Sequence, residues 1–182
     1  MNLKILALSL LRAMDSYQSG LTYAPCHTNK VFNPNEFPTL VNELAKRIRV
    51  LKRVTGANCL AGSGNSGLLL LGALGMKLKM PFFAVRKSRD TWADSRLANG
   101  FMPEGGARYL IIDDLISSGT TCRRIHDFIS KEFRAGPKCV GILLYESEAP
   151  CEKFTFPLEY DPYTQAPTKC MEVPTFFIRP KI

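Results

Sequence analysis

The sequence predicts an α/β fold, a doubly wound and mostly parallel sheet with a small variable hood. Three observations predict it. Short apolar runs recur along the chain without polar alternation, as Cys59-Leu60-Ala61, Phe82 to Val85, Arg108 to Ile112 and Val140 to Tyr145. Helix-length segments separate several of these runs. Glycines and small hydroxyl residues gather just after them. A strand covered on one face alternates apolar and polar residues, whereas one covered on both faces reads as a continuous apolar run, which belongs to a parallel sheet between helices.

The elements follow in order. Leu3, Leu6, Leu10 and Met14, with Ala7 and Leu11, keep a helical spacing. Arg12 and Asp15 follow without a small-residue cleavage site, so an amphipathic helix packed on the domain is expected and not a signal peptide. Asn33-Pro34-Asn35 is a turn opening a helix, in which Phe37, Leu40, Val41, Leu44, Ala45, Ile48 and Leu51 form one stripe until Gly56 stops it. The first strand runs into Gly62-Ser63-Gly64-Asn65-Ser66-Gly67, and Leu68 to Leu78 is apolar nearly all round, suiting a helix packed between sheet and neighbours. Phe82 to Val85 is followed by a long polar stretch, Ser88 to Ala107. The third strand ends in Asp113-Asp114, Ser117 to Thr121 is a turn, and Thr120 to Phe133 is a helix ended by Gly136-Pro137. Beyond Glu146 no period is visible, so the tail is expected as a cap or short strands over one end of the sheet. No internal repeat or low-complexity segment appears.

Bulk properties narrow the function classes. At 182 residues, 46% hydrophobic and 22% charged, the chain has the size and composition of one domain with a real core. The excess of 24 Lys plus Arg over 16 Asp plus Glu gives +8, which favours an anionic partner, nucleic acid or a phosphate-rich small molecule. Basic residues come as short groups (Lys46-Arg47, Lys52-Arg53, Arg86-Lys87, Arg123-Arg124) and not as one run. The six cysteines form no C-x-x-C pair, so neither a zinc site nor a redox motif is supported. Cys59 and Cys139 read as buried small hydrophobes, and reduced thiols imply a cytoplasmic protein. No apolar stretch approaches the roughly 20 residues that cross a membrane.

In a doubly wound sheet, ligands bind beyond the carboxyl ends of the strands. Three unusual segments fall there: Gly62 to Gly67, Arg86 to Ala107, and Asp113 to Thr121. In the last, small residues let backbone amides converge on an anion at a helix N-terminus, where the dipole adds attraction. The hydroxyls of Ser117, Ser118, Thr120 and Thr121 add donors. Two carboxylates cannot sit on a phosphate; they suit a vicinal diol nearby. Phosphate at one end and diol at the other describe ribose 5-phosphate. A helix cap needs one such residue, not five, and no Lys precedes the Ser/Thr as a Walker loop requires.

YLIIDDLISSGTT, Tyr109 to Thr121, resembles the phosphoribosyl-pyrophosphate (PRPP) signature of type I phosphoribosyltransferases. The order of elements resembles that family's from roughly Phe37 to Glu146. The resemblance implies one domain over residues 1–182, with a core of about 37–146 and a hood from the N-terminal region and 147–182. It implies that Asp113 and Asp114 bind the ribose hydroxyls and, directly or through them, a Mg2+ ion. Ser117, Ser118, Gly119, Thr120 and Thr121 then hold the 5-phosphate. Ser63, Gly64 and Asn65 look like the pyrophosphate loop, and Arg86-Lys87 resembles the V-R-K ending of the next strand in the adenine and orotate enzymes. These cations would neutralise the leaving pyrophosphate, making Asp113, Asp114, Arg86 and Lys87 the catalytic set. Arg89 and Arg96 fall where the family has a mobile catalytic loop. The implied activity is a pentosyl transfer from PRPP to a nitrogenous base, in a homodimer. Ser117 replaces the Asp of the 6-oxopurine enzymes, and Ser88 to Ala107 lacks the Lys and His of orotate enzymes, so both bases are disfavoured. Tyr23, Phe154, Phe156 and Tyr160 are candidates to stack on a base, although aromatics in a small cap are more often core. His126 reads as a helix-face residue; Cys26-His27 as half a metal site has no matching pair, and Trp92 lies in the loop. Two alternatives stay open: a PRPP-sensing regulator that binds nucleic acid, and a transferase with an unusual acceptor such as an amine.

Overall fold

The structure, a computed structural model, describes residues 29–86, 98–133, 136–146, 152–161, 164 and 166–178. The expected N-terminal helix lies outside the described residues. A short helix α1 (Asn29–Phe32) leads through the Asn33–Glu36 turn into α2 (Phe37–Thr55). Pro38 occupies the first turn, where its missing N–H costs nothing, and Gly56 closes the helix in the left-handed conformation at φ 70°. The stripe Leu40, Val41, Leu44, Ala45, Ile48 and Leu51 is buried, as its spacing predicts.

From there the chain alternates: β1 (Cys59–Ser63), α3 (Gly64–Leu78), β2 (Phe82–Val85), β3 (Ala98–Gly100), β4 (Arg108–Asp113), α4 (Thr120–Glu132) and β5 (Lys138–Leu144). Two further strands follow, β6 (Lys153–Tyr160) and β7 (Pro167–Phe177). The described strands form one sheet in the order β3-β2-β1-β4-β5-β7-β6. Strands β2, β1, β4, β5 and β7 are parallel, and the edge strands β3 and β6 are antiparallel to their neighbours. The tail therefore extends the sheet edge and does not lie over one end. The short antiparallel β3, inside the segment read as a polar loop, was not foreseen.

The continuous apolar strands are covered on both faces. Leu60, Leu110, Ile112 and Leu143 pack with the stripe of α2 and with Leu70, Leu71 and Leu74 of α3. Their sequence neighbours Ala61, Tyr109, Ile111 and Ile142 point the other way, onto Cys122, Ile125 and Ile129 of α4. Cys59 and Cys139 are buried as expected, and burial pushes each thiol up to about 12. The outer face of α3 differs from expectation: Leu68, Leu69 and Met76 are exposed among the described residues, because the sheet covers only one side of this helix.

Candidate functional site

Parallel strands share one carboxyl edge, and the three segments singled out in the sequence meet there. Ala61 of β1 is level with Ile111 of β4, and Ser63 of β1 with Val85 of β2. Two residues further on, Ser63 and Asp113 end these adjacent strands on the same edge. Arg86 follows β2 on the other side of β1. Backbone direction and strand order alone bring these groups together.

The acid pair is held by local backbone geometry. The Asp114 N–H donates to Asp113 Oδ1 (3.1 Å), and the Leu115 N–H to Asp114 Oδ1 (2.8 Å). The Cys122 thiol of α4 points at Asp113 Oδ2 from 3.9 Å; burial, then the Asp113 charge, keep that thiol protonated, so it faces the carboxylate as a donor. On the other side, the N–H groups of Tyr145 and Glu146 donate to the carbonyls of Asp113 (3.2 Å) and Asp114 (2.9 Å). Both carboxylates remain half-buried at the edge.

Beyond them the chain makes a small-residue turn. Ser117 and Ser118 are exposed, Gly119 is buried at φ 73°, and Thr120 opens α4. The Ser118 and Thr120 hydroxyls bond each other (2.8 Å), while Arg123 donates to the Ser118 carbonyl (2.8 Å) and lies 5.5 Å from the Phe154 ring centroid. Phe154 packs directly under Gly119. This turn is thus braced from α4 by Arg123 and from β6 by Phe154, two supports that reading the turn by itself did not reveal.

The Gly62–Gly67 segment is tighter than the loop expected from its glycines. Strand β1 passes straight into α3, and Gly64 turns the chain at φ 74°. A side chain at Gly62 would meet Leu71 Cδ1 at 3.0 Å and the Ile112 carbonyl at 3.2 Å, so glycine here lets helix and strands pack closely. Ser63 is 6% exposed and its buried hydroxyl has no protein partner among the described residues, an uncommon state for a buried polar group. Asn65 is exposed. Arg86 is half-buried; in the amide orientation that satisfies both its ends, Asn99 of β3 accepts from Arg86 Nη2 at 2.8 Å and donates to the Ala98 carbonyl at 3.1 Å. Strand β3 therefore has a role at the site, holding this cation. Lys87, Arg89, Trp92 and Arg96 lie outside the described residues, as do Tyr23, Cys26 and His27.

The structure corrects one side-chain expectation and decides a second. His126 is not on a solvated helix face: it is buried, its Nδ1 lies 2.9 Å from the Tyr109 hydroxyl, and its ring is 4.5 Å from that of Phe156. Burial lowers its pKa. Phe154 and Phe156 are buried, 4.9 Å apart in an edge-to-face pair, so of the two readings the sequence offered they take the core one and are not a platform for a base. Tyr145, by contrast, was passed over as the last residue of a strand. Burial and then the Asp114 and Asp113 carboxylates raise its hydroxyl far above the usual phenol range, with Ser66 hydrogen-bonded to it. It stays protonated and stands beside the acid pair.

No family model matches the chain, and no curated protein matches it in sequence. Solved structures do resemble it. An adenine phosphoribosyltransferase is similar with a TM-score of 0.54 and 15% identity, over 81% of this chain and 82% of that one. An orotate phosphoribosyltransferase of Francisella tularensis gives 0.50 and 18%, over 81% and 68%. The UMP synthase of Leishmania donovani is 26% identical with a TM-score of 0.47 over 64% of this chain, which spans 23% of that protein's length. The order of strands, the helices on both faces and the carboxyl-edge cluster together give this chain the α/β fold of the type I phosphoribosyltransferases.

Proposed function

We propose that this protein binds PRPP and transfers its ribose 5-phosphate to a nitrogenous acceptor, releasing pyrophosphate. The observation that carries this reading is the meeting of an acid pair, a left-handed small-residue turn opening a helix, and an orphaned serine hydroxyl at one sheet edge. In this reading Asp113 and Asp114 accept hydrogen bonds from the ribose diol. The amides and hydroxyls of Ser117 to Thr121 bind the 5-phosphate at the α4 N-terminus. Ser63, Gly64 and Asn65 take the pyrophosphate, with Arg86 and Lys87 neutralising it.

In the reaction a new C–N bond forms at the anomeric carbon while the bond to the pyrophosphate oxygen breaks. The pyrophosphate leaves with the electron pair of the broken bond, and the acceptor nitrogen gives up its proton to solvent. Such a step needs positioning, leaving-group neutralisation and exclusion of water more than covalent help. Arg86, held by Asn99, would meet the pyrophosphate with one end of its guanidinium already placed, and Tyr145 supplies a neutral donor beside the diol carboxylates.

A Mg2+ ion fits the donor set in one way only. Asp113 and Asp114 offer hard oxygens, but no group of three or more His, Cys, Asp or Glu that could hold a metal occurs among the described residues. An ion held largely through substrate oxygens, with these two carboxylates as its protein-side anchors, suits such a site; when bound, it would offset pyrophosphate charge.

The test is pyrophosphate release from PRPP with a panel of nitrogenous bases. Release that depends on one base supports the transferase. Tight PRPP binding with no release from any base would replace it with a PRPP-sensing protein, and salt-sensitive binding to RNA or DNA would then identify the partner of the +8 chain.

A further inference from the structure

A cleft of about 360 Å³ opens at the same carboxyl edge, past the ends of β5 and β7 and under the N-terminal turn of α2. Its size falls within the roughly 300–1,000 Å³ of small-molecule sites. It adjoins the proposed ribose site through the backbone, since its floor residues Tyr145 and Glu146 donate to the carbonyls of Asp113 and Asp114. It lies on the side of β4 away from Ser63 and Arg86, because β5 and β1 flank β4 on opposite sides. An acceptor must approach the anomeric carbon opposite the departing pyrophosphate, and with the pyrophosphate at Ser63 and Arg86 as proposed, that is the β5 side of β4, where this cleft opens.

Its lining has a definite charge. Among the described residues that line it are three carboxylates, Glu36, Glu43 and Glu146, and one ammonium, Lys30, which is bound to Glu146 Oε1 at 2.8 Å. Glu36 accepts from Asn33 Nδ2 at 2.8 Å, which fixes that carboxylate at the rim. Leu40, Leu144 and Phe177 supply apolar surface for a flat ring. Carboxylates accept hydrogen bonds and repel anions.

We infer that this cleft is the acceptor site and that it selects a neutral or cationic ring bearing N–H donors, excluding a ring that carries a carboxylate. This inference rests on the PRPP reading above, and its test separates the two. Binding of adenine, cytosine and orotate is measured by calorimetry on the full chain saturated with ribose 5-phosphate, pyrophosphate and Mg2+, which leave nothing to transfer, alongside PRPP binding itself. At least one of adenine and cytosine is expected to bind at least tenfold more tightly than orotate, a difference of about 1.4 kcal/mol. Thr39→Trp, at an exposed position in the cleft wall, is expected to weaken the preferred ring at least tenfold with PRPP affinity unchanged. Glu36→Gln, also exposed, is expected to narrow the gap between the neutral ring and orotate severalfold. Orotate binding as well as or better than both amino rings, no binding by either, or full ring affinity in a folded Thr39→Trp protein would overturn the inference while leaving PRPP binding intact. Failure of wild-type protein to bind PRPP would overturn both.

Discussion

Gly119 carries two constraints at once. Its φ of 73° lies in the left-handed region, which costs other residues about 1–2 kcal/mol. A Cβ there would also stand 2.5 Å from two ring carbons of Phe154. Gly119→Ala should therefore lower stability by at least about 1–2 kcal/mol, read as a shifted denaturant midpoint at constant slope, and weaken PRPP binding with it. A neutral substitution would mean that the turn is not held in this conformation. His126 supplies a pH dependence. Burial lowers its folded pKa below the ordinary 6.5, against a smaller opposing effect of Asp127. The unfolded chain then binds the extra proton first as pH falls. Stability is full above pH 6.5, declines on acidification through the folded pKa, and levels off below it. Denaturant melts between pH 5 and 8 should show this slope in the wild type and a flatter one in His126→Gln; identical slopes would contradict the assignment. The burial of His126 was legible in principle: it lies four residues after Cys122 and three before Ile129, on the buried stripe of α4. Its polarity drew the reading toward solvent, and its partner, Tyr109, is distant in sequence.

At the scale of elements, strands β6 and β7 support the turn. Phe154 and Phe156 alternate with exposed Lys153 and Thr155, so the period-two signal of a strand covered on one face is present. It was masked by Pro157, Pro167 and Pro174, which suit edges and bulges and read as breaks in a strand. Most of β7 is exposed, with burial confined to its last residues, where it pairs with β5. Strand β3 has only three residues, Ala98-Asn99-Gly100, none of them a strong strand former, and exists because β2 offers an edge to pair with. The α2 stripe and strands β1, β2, β4 and β5 were legible because burial on both faces writes itself into composition. Phe156, fully buried against His126 and Phe154, should be costly to remove: Phe156→Ala is expected to destabilise by about 3–5 kcal/mol, whereas Cys170→Ser on the exposed part of β7 should stay within about 0.5 kcal/mol. Equal effects from the two, in thermal or denaturant melts, would show that β6 does not pack as described.

For the whole molecule, strand order makes the site. Segments some 20 to 30 residues apart in sequence converge because β1, β2 and β4 are adjacent and parallel, which places every strand's carboxyl end on one edge. That convergence could be read from the sequence, since it needs only strand polarity. The supports could not: Asn99 behind Arg86, Phe154 beneath Gly119 and Tyr145 beside the acid pair depend on contacts between distant segments. The central claim is that the carboxyl end of β4 holds the sugar of PRPP, and the most direct measurement is calorimetric titration of PRPP, with Mg2+, into wild-type protein and Asp113→Asn/Asp114→Asn. The account predicts saturable binding by the wild type and a loss of at least a hundredfold in a folded double variant, about 2.7 kcal/mol. Equal affinity in the two proteins would contradict it.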